Sequence, residues 1–137
     1  MRNAIIVSTG AYVPERVIPN SYFNSLLGED VDSWLRANLK INERRWCAPN
    51  ESTADMCVHA AEIAMERAGL KPQQLNLIIV ATDTPEYLSP STASVVQFRL
   101  QAGWAGTFDL NSACAGFTTA LDVGAKFIKT DPRYEYI

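Results

Sequence analysis

The chain has 137 residues, enough for one domain with a core of its own but short for an enzyme of two lobes. Hydrophobic residues make up 47% and charged residues 20%, the balance of an ordinary soluble globular protein. A net charge of −3 argues against the basic footprint of a nucleic-acid binder, and no apolar run approaches the ~20 residues needed to span a bilayer.

Met1-Arg2-Asn3 leads straight into an apolar run, so no secretory signal is expected and a cytoplasmic location follows. Ala4-Ile5-Ile6-Val7 opens a predicted first strand that runs to Val13, with a turn at Gly10 and Pro14. Asn20 is placed to cap a short helix holding Tyr22, Phe23 and Leu26, which Gly28 ends. Asp32 is placed to cap a second one, with Trp34, Leu35 and Leu39 on one side. Residues 41–46 are dense in charge, and Ala48-Pro49-Asn50-Glu51 reads as a loop.

Ser52 or Thr53 then starts the clearest helix, with Asp55 in its first turn and Gly69 past its end. Met56, Ala60, Ala64 and Ala68, with Cys57, Ala61 and Ile63 beside them, form a face of small residues suited to a flat partner such as a sheet. Pro72 suits a single turn. Residues 75–82 have the continuous apolar centre of a strand covered on both faces. A loop over 83–90 precedes a helix from Ser91 to about Gln101 carrying Val95, Val96 and Leu100. Gly103 and Gly106 lead into a strand at Thr107, Phe108 and Leu110, and then into a helical stripe of Phe117, Ala120, Leu121, Gly124 and Ile128. Tyr134-Glu135-Tyr136-Ile137 reads as the opening of a further strand, the expectation being that the chain is part of a longer protein. Strands alternating with helices predict the α/β class with a mostly parallel sheet.

In open α/β sheets the reactive site lies beyond the carboxyl ends of the strands, and Cys114 follows such an end. A strand that turns sharply into a buried helix leaves the first residue of that helix at the turn, its side chain facing a cavity and the free N–H groups of the helix start pointing toward it. The helix dipole there favours a thiolate. Ala113, Ala115 and Gly116 leave room for a substrate to reach the sulfur. Cys114 therefore reads as a nucleophile, against the alternative of a small buried hydrophobe. The three cysteines, at 47, 57 and 114, are odd in number and lack metal-ligand spacing, which suits a reducing compartment. Cys47 and Cys57 read as ordinary thiols, and His59, the one histidine, as structural or surface. No metal site is expected.

Six stretches carry a resemblance: Gly10-Ala11-Tyr12-Val13-Pro14, Asp32-Ser33-Trp34, Ile41-Asn42-Glu43-Arg44-Arg45, Ala48-Pro49-Asn50-Glu51, Ala81-Thr82, and above all Asp109-Leu110-Asn111-Ser112-Ala113-Cys114-Ala115-Gly116-Phe117. In this order and spacing the sequence resembles the condensing enzymes of the thiolase superfamily, most closely β-ketoacyl-acyl-carrier-protein synthase III. The resemblance implies a thiolase-like fold of two similar halves, each a five-stranded mostly parallel sheet with packed helices, residues 1–137 being the N-terminal half. It implies a decarboxylative Claisen condensation in which Cys114 accepts an acyl group from acyl-CoA, its backbone N–H contributes to the oxyanion hole, and malonyl-acyl-carrier protein then attacks the thioester. The implied cofactors are none, with the CoA thioester as substrate. The implied partners are acyl-CoA, malonyl-acyl-carrier protein and a second copy in a homodimer, with no nucleic acid and no membrane.

The same resemblance matches Trp34 to a tryptophan that stacks on the adenine of CoA. It places Asn38 where an arginine is common and Lys40 where a glycine is common, so that Arg36 or Lys40 is the candidate for the missing positive charge. Ser89 falls where a phenylalanine from a partner subunit often limits the acyl pocket, which implies room for a longer or branched acyl group. Asn111 and Ser112 replace the small apolar residues common before the cysteine and are expected to alter hydrogen bonding there. The family's catalytic histidine and asparagine fall in the second half. Other readings stay open at this point: hydroxymethylglutaryl-CoA synthase-like chemistry, a non-catalytic binding module, or a redox-thiol protein using Cys114.

Overall fold

The computed structural model describes residues 2–137 and runs β1 (Arg16–Pro19), α1 (Asn20–Leu27), α2 (Asp32–Trp34), a π-helical turn (Leu35–Leu39), β2 (Glu43–Trp46) and α3 (Thr53–Ala68). There follow a 3₁₀ turn (Pro72–Gln74), β3 (Leu77–Ala81), α4 (Thr92–Leu100), β4 (Gly106–Leu110), a second 3₁₀ turn (Ala113–Ala115) and α5 (Gly116–Thr130). The chain divides into two units, Met1–Tyr12 with Ser52–Ile137, and Val13–Glu51.

In the larger unit, β3 and β4 pair in parallel, with Ile79 opposite Phe108 and Val80 opposite Asp109. Alternation along the strands then sorts the side chains. Ile78 and Val80 join a core built from Ala54 and Met65 of α3 and Ala93, Val96 and Leu100 of α4. On the opposite face lies α5: Phe108 meets Phe127 at 6.5 Å, and Gly116 and Gly124 bring the helix backbone close to Ala81 and Ile79. The strand pair is thus covered on both faces, as the continuous apolar run of β3 predicts.

Helix α3 begins in a full capping box at Ser52 and Asp55 and ends on Gly69 in the left-handed region, both as expected. Its small-residue face is shared between two neighbours. Cys57, Val58 and Ala61 pack on the core, whereas Ala60 and Ala64 are crossed by residues 8–10. Helix α4 runs between Ser91 and Gln101 as anticipated, after a loop with a cis Ser89–Pro90 bond.

Three expectations about strands are corrected. Residues 4–13 form no strand; no strand among the described residues pairs with them, and Ile5, Ile6 and Val7 are exposed. The described residues accordingly form two two-stranded sheets in place of one five-stranded sheet. Tyr134–Ile137 joins no ladder but is tied to Asn76, whose N–H donates to Tyr136 O and whose Oδ1 accepts the Glu135 and Tyr136 N–H groups. The charged stretch at 43–46, to which sequence patterning assigns no element, is a strand.

That strand belongs to the smaller unit, where β1 and β2 pair antiparallel. Tyr22, Phe23 and Trp46 pack edge to face, and the guanidinium groups of Arg16 and Arg44 lie over Trp46 and Phe23. Asn20 does not cap α1. It is buried, and its amide nitrogen donates to Asp32 Oδ1 and Ile41 O. Asp32 does not cap α2 either; Asp30 accepts the Ser33 N–H in that role. No helix among the described residues is long and apolar enough to cross a membrane.

Candidate functional site

Strand β4 ends at Leu110, whose carbonyl accepts the Thr82 N–H beyond β3, and the chain then turns sharply. Asn111 makes the turn: its Oδ1 accepts the Ala113 N–H at 3.3 Å. Asn111 thus enters the hydrogen bonding of the turn, as its departure from a small apolar residue predicts. Ala113 is held at a φ of 43°, in the left-handed region that non-glycine residues seldom occupy. The next residues form the 3₁₀ turn, closed by Ala115 N–H to Ser112 O, and α5 starts at Gly116. Buried Gly116 fits there because a Cβ would already press within 3.2 Å of Ala81 Cβ.

Cys114 sits in the middle of that turn and is exposed, a free thiol. It therefore lies one short turn before the helix, not on its first residue, and it lines neither of the two cavities described below. The cavity nearest in sequence, of about 390 Å³, reaches Asn111. One wall is Pro85, Tyr87, Leu88 and Ser91, and the other is Thr107, Phe108 and Asp109. Ser89 is exposed on the loop of the first wall. Cys57 differs from Cys114: it is half-buried, and burial first, then the Asp109 carboxylate, push its thiol above the ordinary range. His59 is exposed and stacks on Tyr12 at 4.8 Å, in keeping with a surface role.

In the smaller unit, Trp34 is 58% exposed and lines a cavity of about 530 Å³ with Phe23, Leu27, Leu35, Asp30 and Arg44. Arg36 is not part of this wall. Its Nε donates to both carboxylate oxygens of Asp32, at 2.7 and 2.9 Å, and its Nη1 to Asn42 Oδ1. The Asn20 amide first, and Arg36 second, hold the Asp32 carboxyl below its ordinary range. Trp34 and Arg36 are two residues apart on one helix, so their side chains leave on different faces. Arg44, from the strand that sequence patterning missed, is the cation that shares the lining of this cavity with Trp34, its guanidinium over the Phe23 ring. Arg45 instead donates to Pro14 O and Glu15 O, an internal role.

A reachable thiol on the turn between a parallel strand and a helix is a nucleophile-bearing arrangement of α/β folds, and likeness to solved structures makes the class thiolase-like. Solved condensing enzymes share the fold. The 3-oxoacyl-[acyl-carrier-protein] synthase III of Aquifex aeolicus superposes with a TM-score of 0.84 at 39% identity, over 91% of this chain and 40% of its own. The priming β-ketosynthase of the R1128 polyketide biosynthetic pathway superposes at 0.87 and 31% identity, over 94% and 38%. Among sequences, the β-ketoacyl-[acyl-carrier-protein] synthase III of Natranaerobius thermophilus is 42% identical over 137 residues, all of this chain and 41% of that protein. No protein-family model matches the chain. Along nearly its whole length the chain is similar to β-ketoacyl-[acyl-carrier-protein] synthase III proteins, and it spans about two fifths of the length of the relatives it matches.

Proposed function

We propose that this chain carries the acyl-accepting half of a condensing enzyme, in which Cys114 takes an acyl group from acyl-CoA. The observation that carries the reading is the exposed thiol on the turn between β4 and α5. The thiolate attacks the thioester carbonyl, the bond from the acyl carbon to the CoA sulfur breaks, and CoA leaves as a thiolate that takes up a proton. The Ala113 and Ala115 N–H groups are engaged by Asn111 Oδ1 and Ser112 O, so the Cys114 N–H is the donor of this turn assigned to the developing oxyanion. The cavity that reaches Asn111 supplies room for the acyl chain, and exposed Ser89 on its loop side favours chains larger than acetyl.

Adenine of CoA stacks on Trp34, with Arg44 as the neighbouring cation. Malonyl-acyl-carrier protein is the second substrate in the whole protein, a cytoplasmic homodimer that starts fatty-acid or polyketide synthesis. The condensation step needs a histidine and an asparagine that the family resemblance puts outside these residues, and His59 is not placed to serve. The half-reaction assigned to this chain is therefore acylation alone.

Incubation with mass-tagged acyl-CoA, followed by peptide mapping, tests the assignment. A thioester on Cys114 supports it. No adduct, with a sulfenic acid or mixed disulfide forming on Cys114 under mild oxidant, replaces it with a redox-thiol function.

A further inference from the structure

Asp109 is the residue opposite Val80 in the β3–β4 ladder, and its side chain leaves the strand on the face of α4. There its two carboxylate oxygens divide between the first two N–H groups of that helix. Oδ2 accepts from Thr92 and Oδ1 from Ala93, each at 2.7 Å. These are short, charge-assisted bonds, and both backbone partners belong to almost fully buried residues. The third N–H, of Ser94, goes to Ser91 Oγ. A helix normally finds such partners in its own preceding residue; here two of the three come from a neighbouring strand. A second link runs parallel to it, from Ser94 Oγ to Thr107 Oγ1 at 2.8 Å.

This clamp joins the two walls of the 390 Å³ cavity. Pro85, Tyr87, Leu88 and Ser91 end at the clamped helix start, and Thr107 to Asn111 form the strand that carries the clamp. Five residues beyond Asp109 the same strand delivers Cys114. The separation of the loop from the strand, and so the width of the cavity, is set where Asp109 holds Thr92 and Ala93.

We propose that Asp109 is a positioning residue that determines which acyl chains Cys114 accepts, acting through the Leu88–Ser91 segment. This rests on the acyl-transfer reading above. Asp109→Asn keeps the volume but turns one acceptor into an NH₂ group facing a backbone N–H, so one of the two bonds is replaced by a donor–donor clash.

The test compares the two proteins for acylation of Cys114 across acyl-CoA thioesters from acetyl to octanoyl, read by intact mass, beside alkylation of Cys114 by iodoacetamide. The expected result is a change on the order of tenfold in the octanoyl-to-acetyl ratio, the size of a one-methylene change in pocket fit, with the iodoacetamide rate unaltered. A merely structural clamp lowers stability and leaves the ratio where it was, and that result overturns the proposal. Should Asp109→Asn not fold, Asp109→Glu keeps both acceptors on a longer arm; it displaces the helix start and must shift the same ratio, and an unshifted ratio again overturns it. Failure of the underlying reading shows separately, as absence of any acylation in the unaltered protein, and that outcome removes both.

Discussion

Gly10 passes so close to Ala60 of α3 that a Cβ on it would lie 2.0 Å from the Ala60 carbonyl oxygen and 2.7 Å from the Ala64 nitrogen. The contact is held on both sides, because Ser8 Oγ donates to Ala64 O at 2.7 Å and Arg67 Nη1 donates to Thr9 O at 2.8 Å. Helix backbone cannot give way as a flexible side chain does. Gly10→Ala is expected to lower stability by about 1–3 kcal/mol, the usual cost of forced overpacking, in urea unfolding. Gly103 has open space around it, so Gly103→Ala is the control and should stay within about 0.5 kcal/mol of the parent. Equal stability of the two variants would show that residues 8–10 do not sit on α3.

The start of the same helix is sensitive to acid. Ser52 N–H donates to Asp55 Oδ2 at 2.8 Å, the Asp55 N–H donates back to Ser52 Oγ, and Arg99 Nη1 donates to Asp55 Oδ1 at 2.6 Å. The backbone bond from Ser52 first, its hydroxyl second, and then Arg99 hold the Asp55 carboxyl below its ordinary 3.8. A group depressed in the folded state stabilises above its unfolded pKa, and that stability is lost as pH falls through the folded value. Unfolding measured from pH 6 downward should therefore steepen below about pH 4, and Asp55→Asn should flatten that limb. Ser52→Ala removes both the oxygen that caps the Asp55 N–H and the hydroxyl that donates to Asp55 Oδ2, and is expected to cost about 1 kcal/mol at neutral pH.

The elements that could be read in the sequence are those whose stabilising partners are local. The capping box of α3, its terminal glycine, the apolar run of β3 and the Ser91 cap of α4 each lie within a few residues of what they explain. The misread segments depend on distant neighbours. Residues 4–7 have the composition of a strand, but a strand exists only beside another, and the described residues provide none there. β2 hides as charge because Arg44 covers an aromatic ring, which no periodicity in the strand itself announces. Asn20 and Asp32 have the right residue types for caps, but tertiary partners claim their side chains. Of the candidate residues, Cys114 in the larger unit and Trp34 in the smaller were legible as residue types in context. Arg44 and Asp109 were not, since each acts across a gap in sequence.

That difference separates Trp34 from Arg36 in their expected effects. Trp34 is exposed beside an open cavity, whereas Arg36 is engaged by Asp32 and Asn42. Trp34→Ala should weaken CoA binding by the worth of one base stack, about 1–3 kcal/mol, in calorimetric titration. Arg36→Ala should change CoA binding little and instead destabilise the Val13–Glu51 unit, because Asp32 loses its cation. A larger loss of affinity from Arg36 than from Trp34 would move the nucleotide to the other face of the helix.

The two thiols of the larger unit provide the sharpest check on the turn. Cys114 is exposed ahead of α5, while Cys57 faces the core between α3 and α4, with its thiol pushed up by burial and by Asp109. Only the thiolate alkylates, so burial protects Cys57 twice, by access and by ionisation. At neutral pH, iodoacetamide is expected to modify Cys114 at least about tenfold faster than Cys57, as read by peptide mass mapping. In urea both restraints on Cys57 vanish, and the two rates should converge. Raising the pH in the folded protein should narrow the gap only in part, because it ionises Cys57 without opening the core. Labelling of Cys57 first would mean that the strand-to-helix turn is closed over its sulfur, and an acyl-enzyme at Cys114 would then have no path to form.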